Sequence, residues 1–184
     1  MAKTMKRTAA ISLLLTLCFC LLYRYTANHL AYTLAITAGT IAYHFNVRLL
    51  VGGLMDRVMQ NKADVTRKWF QVGKAEMKLY RKLKVKTWKN RMPTYAPDVF
   101  DASRHSWEEL AQAMCQSELV HETNVVLSFL PVAASVWFGS LGVFFITSLL
   151  GAMFDLMFVF MQRFNRARIL KLKTRRSHPD QVHS

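Results

Sequence analysis

Acidic residues are scarce in this chain, and so are the residues that punctuate a fold. Its 184 residues hold 11 Asp+Glu against 25 Lys+Arg, with 3 cysteines, 4 prolines and 7 glycines. Each shortage excludes something. Three cysteines with no C-x-x-C pair and no ligand spacing exclude a disulfide framework and a zinc knuckle. Cys18 and Cys20 lie inside an apolar run and read as plain helix residues. No Gly-x-Ser-x-Gly elbow, Walker loop or dinucleotide fingerprint occurs. The shortage of acid leaves a formal net charge of +14.

The surplus is apolar. Hydrophobic residues make up 52% of the chain. Nucleic-acid binders are also basic, but they do not need long uncharged runs, and nothing here resembles a base-reading module. A small membrane protein with basic cytoplasmic segments combines both features. The length suits one domain, read here as a single membrane domain over residues 1–184.

Four runs read as membrane helices: residues 9–23, 30–55, 119–138 and 143–161. Each approaches the roughly 20 apolar residues that cross a bilayer, the first least securely. That first run follows Lys3, Lys6 and Arg7 and resembles a signal-peptide core. Its cleavage region, Thr26-Ala27-Asn28, is poor, so a retained signal-anchor is the preferred reading over a cleaved leader. Residues 56–117 carry 13 Lys+Arg and 7 Asp+Glu, and residues 162–184 carry 7 Lys+Arg and 1 Asp. The turns after the first and third runs are nearly uncharged. The positive-inside rule then places both termini and the central segment in the cytoplasm. The expected fold class is all-α integral membrane, with four transmembrane helices and a basic cytoplasmic interfacial helical segment.

Within that segment, residues 62–89 contain no Pro and read as helix. Val65, Trp69, Val72, Leu79, Leu83 and Trp88 group loosely on one side among many lysines, as in a helix lying in the headgroup layer. Pro93 and Pro97 make residues 92–97 a loop. Ser106 and Glu109 form a capping box that starts the next helix.

Two polar clusters frame the most apolar part. Glu118, His121 and Glu122 stand at i, i+3 and i+4, on one helix face. A histidine beside a carboxylate can serve as general base, because the carboxylate fixes its tautomer and stabilises the imidazolium. Placed about one turn inside the membrane edge, His121 would take a proton from a lipid hydroxyl, oriented by Glu118 or Glu122. A single Glu-x-x-His falls short of a di-iron set, and no His-Glu-x-x-His occurs, so no metal is assigned.

The second cluster is Gln162-Arg163-Phe164-Asn165-Arg166-Ala167-Arg168. Guanidinium forks suit phosphate and carboxylate. Membrane anchoring explains Arg175 and Arg176 but not the amides of Gln162 and Asn165. Arg48 and Asp155 are the deepest charges, each about 10 Å from the cytoplasmic edge by helical rise. Equal depth and opposite sign predict a salt bridge between the second and fourth runs. Asp155 could instead help set the state of His121, and His44 and Asn46 could line the same cavity.

Three blocks together resemble the glycosyl-4,4'-diaponeurosporenoate acyltransferase family. They are Lys86-Thr87-Trp88-Lys89 with Met92-Pro93, Glu118-Leu119-Val120-His121 ahead of Pro131, and Gln162-Arg163-Phe164-Asn165-Arg166-x-Arg168. The resemblance covers residues 62–172, and the last block is the most specific. Phe164 and Ala167 stand where the family commonly has Tyr and Pro. The positions that match are Trp88, Glu118, His121, Gln162, Arg163, Asn165, Arg166 and Arg168. The resemblance implies a small bacterial cell-membrane protein that esterifies a sugar hydroxyl of a glycosylated carotenoid with a fatty acyl chain, the last step toward staphyloxanthin. The pattern of soluble-facing glycerolipid acyltransferases, a His with Asp five residues on, is missing.

The expected activity is O-acyl transfer to a hydroxyl of a lipid-linked sugar, on a glycosyl carotenoid or another glycolipid. It calls for no cofactor, only an acyl donor such as acyl-CoA or acyl carrier protein as cosubstrate. His121, Glu118 and Glu122 are the expected catalytic set. Gln162, Arg163, Asn165, Arg166, Arg168, Trp88, Arg48 and Asp155 are the expected binding set. The rival expectation is a non-catalytic membrane protein that binds anionic lipid or a partner protein, which accounts for the basic segments by electrostatics alone.

Overall fold

The structure, a computed structural model, describes residues 2–90, 92 and 95–177. Pro93 and Thr94 of the expected loop, the side chains of Lys89, Arg175 and Arg176, and residues 178–184 of the basic tail lie outside the described residues. Among those described there is no strand. Six α-helices follow in order: α1 (Ala2–Thr26), α2 (His29–Met59), α3 (Lys74–Lys82), α4 (Trp107–Leu127), α5 (Leu130–Phe138) and α6 (Leu141–Ser177). Four segments are long and apolar enough to cross a membrane: Ala2–Thr26, His29–Met59, Trp107–Phe138 and Leu141–Thr174. Each helix outruns its apolar stretch, because nothing in the flanking polar residues stops helix propagation until a turn residue is reached.

Those stops are identifiable. Ala27 (φ 49°) ends α1, and Gln60 and Asn61 (φ 48° and 57°) end α2. The Asn61 N–H donates to the Gln116 side-chain oxygen at 2.6 Å. Ser106 and Glu109 form the capping box at the start of α4: the Ser106 N–H reaches the Glu109 carboxylate at 2.8 Å, and the Glu109 N–H returns to Ser106 Oγ at 3.3 Å. Pro131 splits the expected third run. It lacks the N–H that would bond one turn back, and α4 gives way to α5 just before it. Gly139 and Ser140, both at positive φ, turn the chain into α6.

The chain divides into two compact units. One comprises Met1–Leu54 and Glu122–Leu156. Many of its buried positions are small, among them Ala31, Ala35, Ala38 and Ala42 on α2, beside the larger Ile36 and Phe144. A Cβ placed on Gly39 would meet Thr16 of α1 at 3.4 Å, so these two helices approach closely. Its outside is apolar instead, with Leu14, Leu17, Val136, Trp137 and Leu150 all exposed. An apolar exterior around an interior rich in small and polar residues suits a lipid surrounding.

The other unit comprises Met55–His121 and Met157–Ser184. Its core gathers Tyr80, Val85, Phe158, Met161 and Phe164, with Val72, Met77, Trp88 and Phe160 packed against them. Here the expected helix over residues 62–89 is corrected. The segment forms a 3-10 turn at Lys68–Phe70, then α3, then a second 3-10 stretch at Val85–Asn90. Gln71 and Gly73 are extended between the first two, and Lys84 at φ 54° follows α3. The proposed apolar side is divided accordingly. Val72 and Trp88 turn into the core, whereas Trp69, Leu79 and Leu83 are exposed.

Candidate functional site

The most highly charged interior belongs to the second unit. Glu118 on α4 is fully buried, and so is Arg166 on α6. The Glu118 carboxylate accepts hydrogen bonds from Arg163 through one oxygen and from Arg166 through the other. Arg163 also donates to Glu76 of α3 at 2.5 and 3.2 Å, to the Trp69 carbonyl at 3.0 Å and to the Gln71 carbonyl at 3.2 Å. Arg166 donates to the Phe70 carbonyl at 2.6 Å, and its guanidinium lies 5.1 Å from the centre of the Phe70 ring.

The break in residues 62–89 now has a cause. A helix through Trp69–Gln71 would turn these three carbonyls to its own amides. Left out of an α-helix, they serve as further acceptors for buried Arg166 and half-buried Arg163, whose donors outnumber the carboxylate oxygens they meet.

Glu76 completes the cluster. Burial works against its charge, but the hydrogen bonds from Arg163 and Tyr80 outweigh burial and hold its carboxyl below the ordinary 4.5. Burial, followed by the bond to Glu76 and its charge, pushes the Tyr80 hydroxyl up from its ordinary value.

The other sequence-derived residues of this unit fall around that centre. The His121 ring stacks on Phe158 with centroids 4.5 Å apart and planes 6° apart, half-buried. Gln162 donates to Ser117 Oγ at 3.1 Å. Asn165 is half-buried. Arg168 is exposed, with its guanidinium 5.6 Å from the centre of the Phe164 ring. Trp88 serves the apolar core.

Glu118 of the expected catalytic set and Arg163 and Arg166 of the expected binding set therefore meet in one feature. Glu118 meets two guanidiniums, and Arg163 and Arg166 meet protein acceptors. Glu76 was missed by sequence reasoning. Its signal was present, since it is the lone acid between Asp64 and Asp98 in a run of lysines and arginines.

The first unit has a polar centre of its own. Arg48 on α2 pairs with Asp155 on α6, as equal depth predicts. Arg48 also donates to the His44 carbonyl at 2.8 Å and the Gly151 carbonyl at 3.0 Å. His44 is buried beside them, and neither ring nitrogen has a hydrogen-bond partner among the described residues. Asn46 does not share this face. It is exposed and bonds back to the Ala42 carbonyl at 2.8 Å, because two residues along a helix point to nearly opposite sides. Glu122, half-buried, opens this unit's part of α4.

Membrane-length helices together with buried guanidinium–carboxylate centres define an all-α integral membrane protein with a polar interior. Its particular kind comes from comparison. The model of the glycosyl-4,4'-diaponeurosporenoate acyltransferase family matches residues 66–175, and the chain belongs to that family. No curated protein and no solved structure matches it. The matched stretch includes Glu76, Glu118, His121 and all of the arginine block, whereas His44 and Arg48 lie ahead of it.

Proposed function

We propose that the protein is a membrane acyltransferase that esterifies a hydroxyl of a glycosylated lipid, either a glycosyl carotenoid or another glycolipid, with a fatty acyl group. The observation that carries this reading is family membership across residues 66–175. In the proposed reaction the acceptor hydroxyl oxygen attacks the acyl carbonyl carbon of a thioester donor, acyl-CoA or acyl carrier protein. The His121 imidazole takes the hydroxyl proton, the carbon–sulfur bond breaks, and the proton passes to the departing thiolate. Stacking on Phe158 fixes the plane of the imidazole, which a general base requires.

Glu118 enters this scheme as a positioning residue. Its charge is shared between Arg163 and Arg166, so it anchors α4 to α6 one turn from His121. Glu122, the next residue on α4, is the carboxylate we assign to favouring the imidazolium. Asn165 and Arg168 remain the proposed polar contacts of the block. The exposed Lys74, Lys78, Lys82, Leu79 and Leu83 of the α3 region suit a place in the headgroup layer. We assign the protein to the bacterial cell membrane, with the donor reached from the cytoplasmic face.

Comparative lipid mass spectrometry tests the reading in glycolipid-containing cells that express wild type, His121→Ala or empty vector, with insertion of both proteins verified. A glycolipid that gains one fatty-acyl mass only with wild type is the expected result. An acyl shift retained by inserted His121→Ala removes the histidine from the mechanism. No shift with wild type leaves an anionic-lipid or partner-binding protein.

A further inference from the structure

With Arg163 and Arg166 committed to protein acceptors, an anionic ligand needs other cations. The second unit supplies them in one place. A cavity of about 210 Å³ is lined by Met77 and Arg81 of α3 and by Phe164, Ala167, Arg168 and Lys171 of α6. The spacing explains the grouping. Met77 and Arg81 are four apart, and Phe164, Ala167, Arg168 and Lys171 follow i, i+3, i+4 and i+7, so each helix offers one face.

Three of the six lining residues are cations and none is an acid. Among the described residues, none of the three forms an ion pair, in contrast to Arg48, Arg163 and Arg166. Like charges gathered without a counter-charge raise one another's energy, and an anion between them relieves it. Phe164 covers one face of the Arg168 guanidinium and leaves the N–H donors in its plane for a ligand. The remaining lining is apolar: Met77, Phe164 and Ala167.

Cations at the rim and apolar side chains beneath match a phosphate ester joined to an uncharged chain. We propose that this pocket, made by Arg81, Arg168 and Lys171, is the phosphate-binding site of the protein. Two sources carry that chemistry: the phosphates of a coenzyme A or phosphopantetheine donor, and the headgroup of an anionic phospholipid. Assignment to the donor rests on the acyl-transfer reading, and the phosphate site itself does not. The sequence alone pointed to Arg168, whereas Arg81 and Lys171 stand out only once α3 and α6 are placed side by side.

The test uses the full-length protein in uncharged detergent. Isothermal titration is run with coenzyme A and, separately, with dihexanoyl phosphatidylglycerol, on wild type, the double variant Arg81→Ala/Lys171→Ala, and the charge-keeping Arg81→Lys/Lys171→Arg. Both residues are exposed, so the alanine variant should unfold at the wild-type temperature. Wild type should bind one of the probes, the alanine variant should bind it about tenfold or more weakly, and the charge-keeping variant should recover much of the loss. Binding of coenzyme A assigns the pocket to the donor, and binding of the lipid probe alone assigns it to a headgroup. If neither probe binds wild type, or the alanine variant binds as well as wild type, the site is wrong.

The two proposals fail separately. Acyl transfer by a protein whose probe binding the double variant leaves unchanged overturns the pocket and leaves the function. Variant-sensitive binding in a protein that transfers no acyl group does the reverse.

Discussion

Glu118 shows how a residue's role changes once its neighbours are known. Spacing on α4 pairs it with His121, three positions on, and that pairing is all a linear pattern can offer. Its observed partners lie 45 and 48 residues away, and attraction between buried charges is decided by proximity that no local spacing reveals. A buried carboxylate between two guanidiniums is costly to break, since removing it leaves two positive charges with reduced compensation. Glu118→Ala should therefore destabilise the protein by about 3–5 kcal/mol, or prevent folded protein from accumulating. Thermal unfolding followed by tryptophan fluorescence in detergent reads this directly, and an unchanged midpoint would contradict the ion-pair role. Lysine should not substitute at Arg163, because a single ammonium cannot reproduce a fork that reaches two carboxylates and two carbonyls.

At the scale of elements, the four membrane-length helices were legible because apolar runs of sufficient length have few alternatives. The region of residues 62–89 was not. Its lack of proline left a helix open throughout, but Val, Thr, Trp, Phe and Gly73 favour it weakly, and the carbonyls at Trp69–Gln71 turn to Arg163 and Arg166 instead. Helix contacts likewise hide in residues that look neutral in sequence. Gly151 on α6 is such a position: a Cβ there would lie 3.1 Å from an Arg48 nitrogen and 3.3 Å from the His44 ring. Arg48 is held by Asp155 and cannot swing away freely. Gly151→Ala should cost about 1–3 kcal/mol, although alanine is the better helix former. Gly53→Ala, with nothing within 4 Å of its Cβ, should be neutral or stabilising. Unfolding midpoints of the two variants decide the matter, and equal effects would mean that α6 does not approach α2 as closely as described.

For the whole molecule, the distribution of cations carries the most information. They flank the first apolar run, fill residues 56–117 and return in the C-terminal part of α6, while the turns at residues 27–28 and 139–140 carry none. Reporter fusions at the two ends should both give cytoplasmic signals, whereas a reporter inserted at Gly139–Ser140 should not; opposite signals from the two ends would rule out an even number of crossings. The ion pairs of Glu118 bear also on how the chain is made. Its counter-charges are synthesised 45 and 48 residues later, so a ribosome adding about 5–20 residues per second leaves the carboxylate waiting for roughly 2–10 seconds. Through that interval α4 holds an acid it cannot bury at low cost. A nascent chain halted before Arg163 keeps that acid without either guanidinium, so the C-terminal part of α6 must be made before the interior of α4 is neutralised.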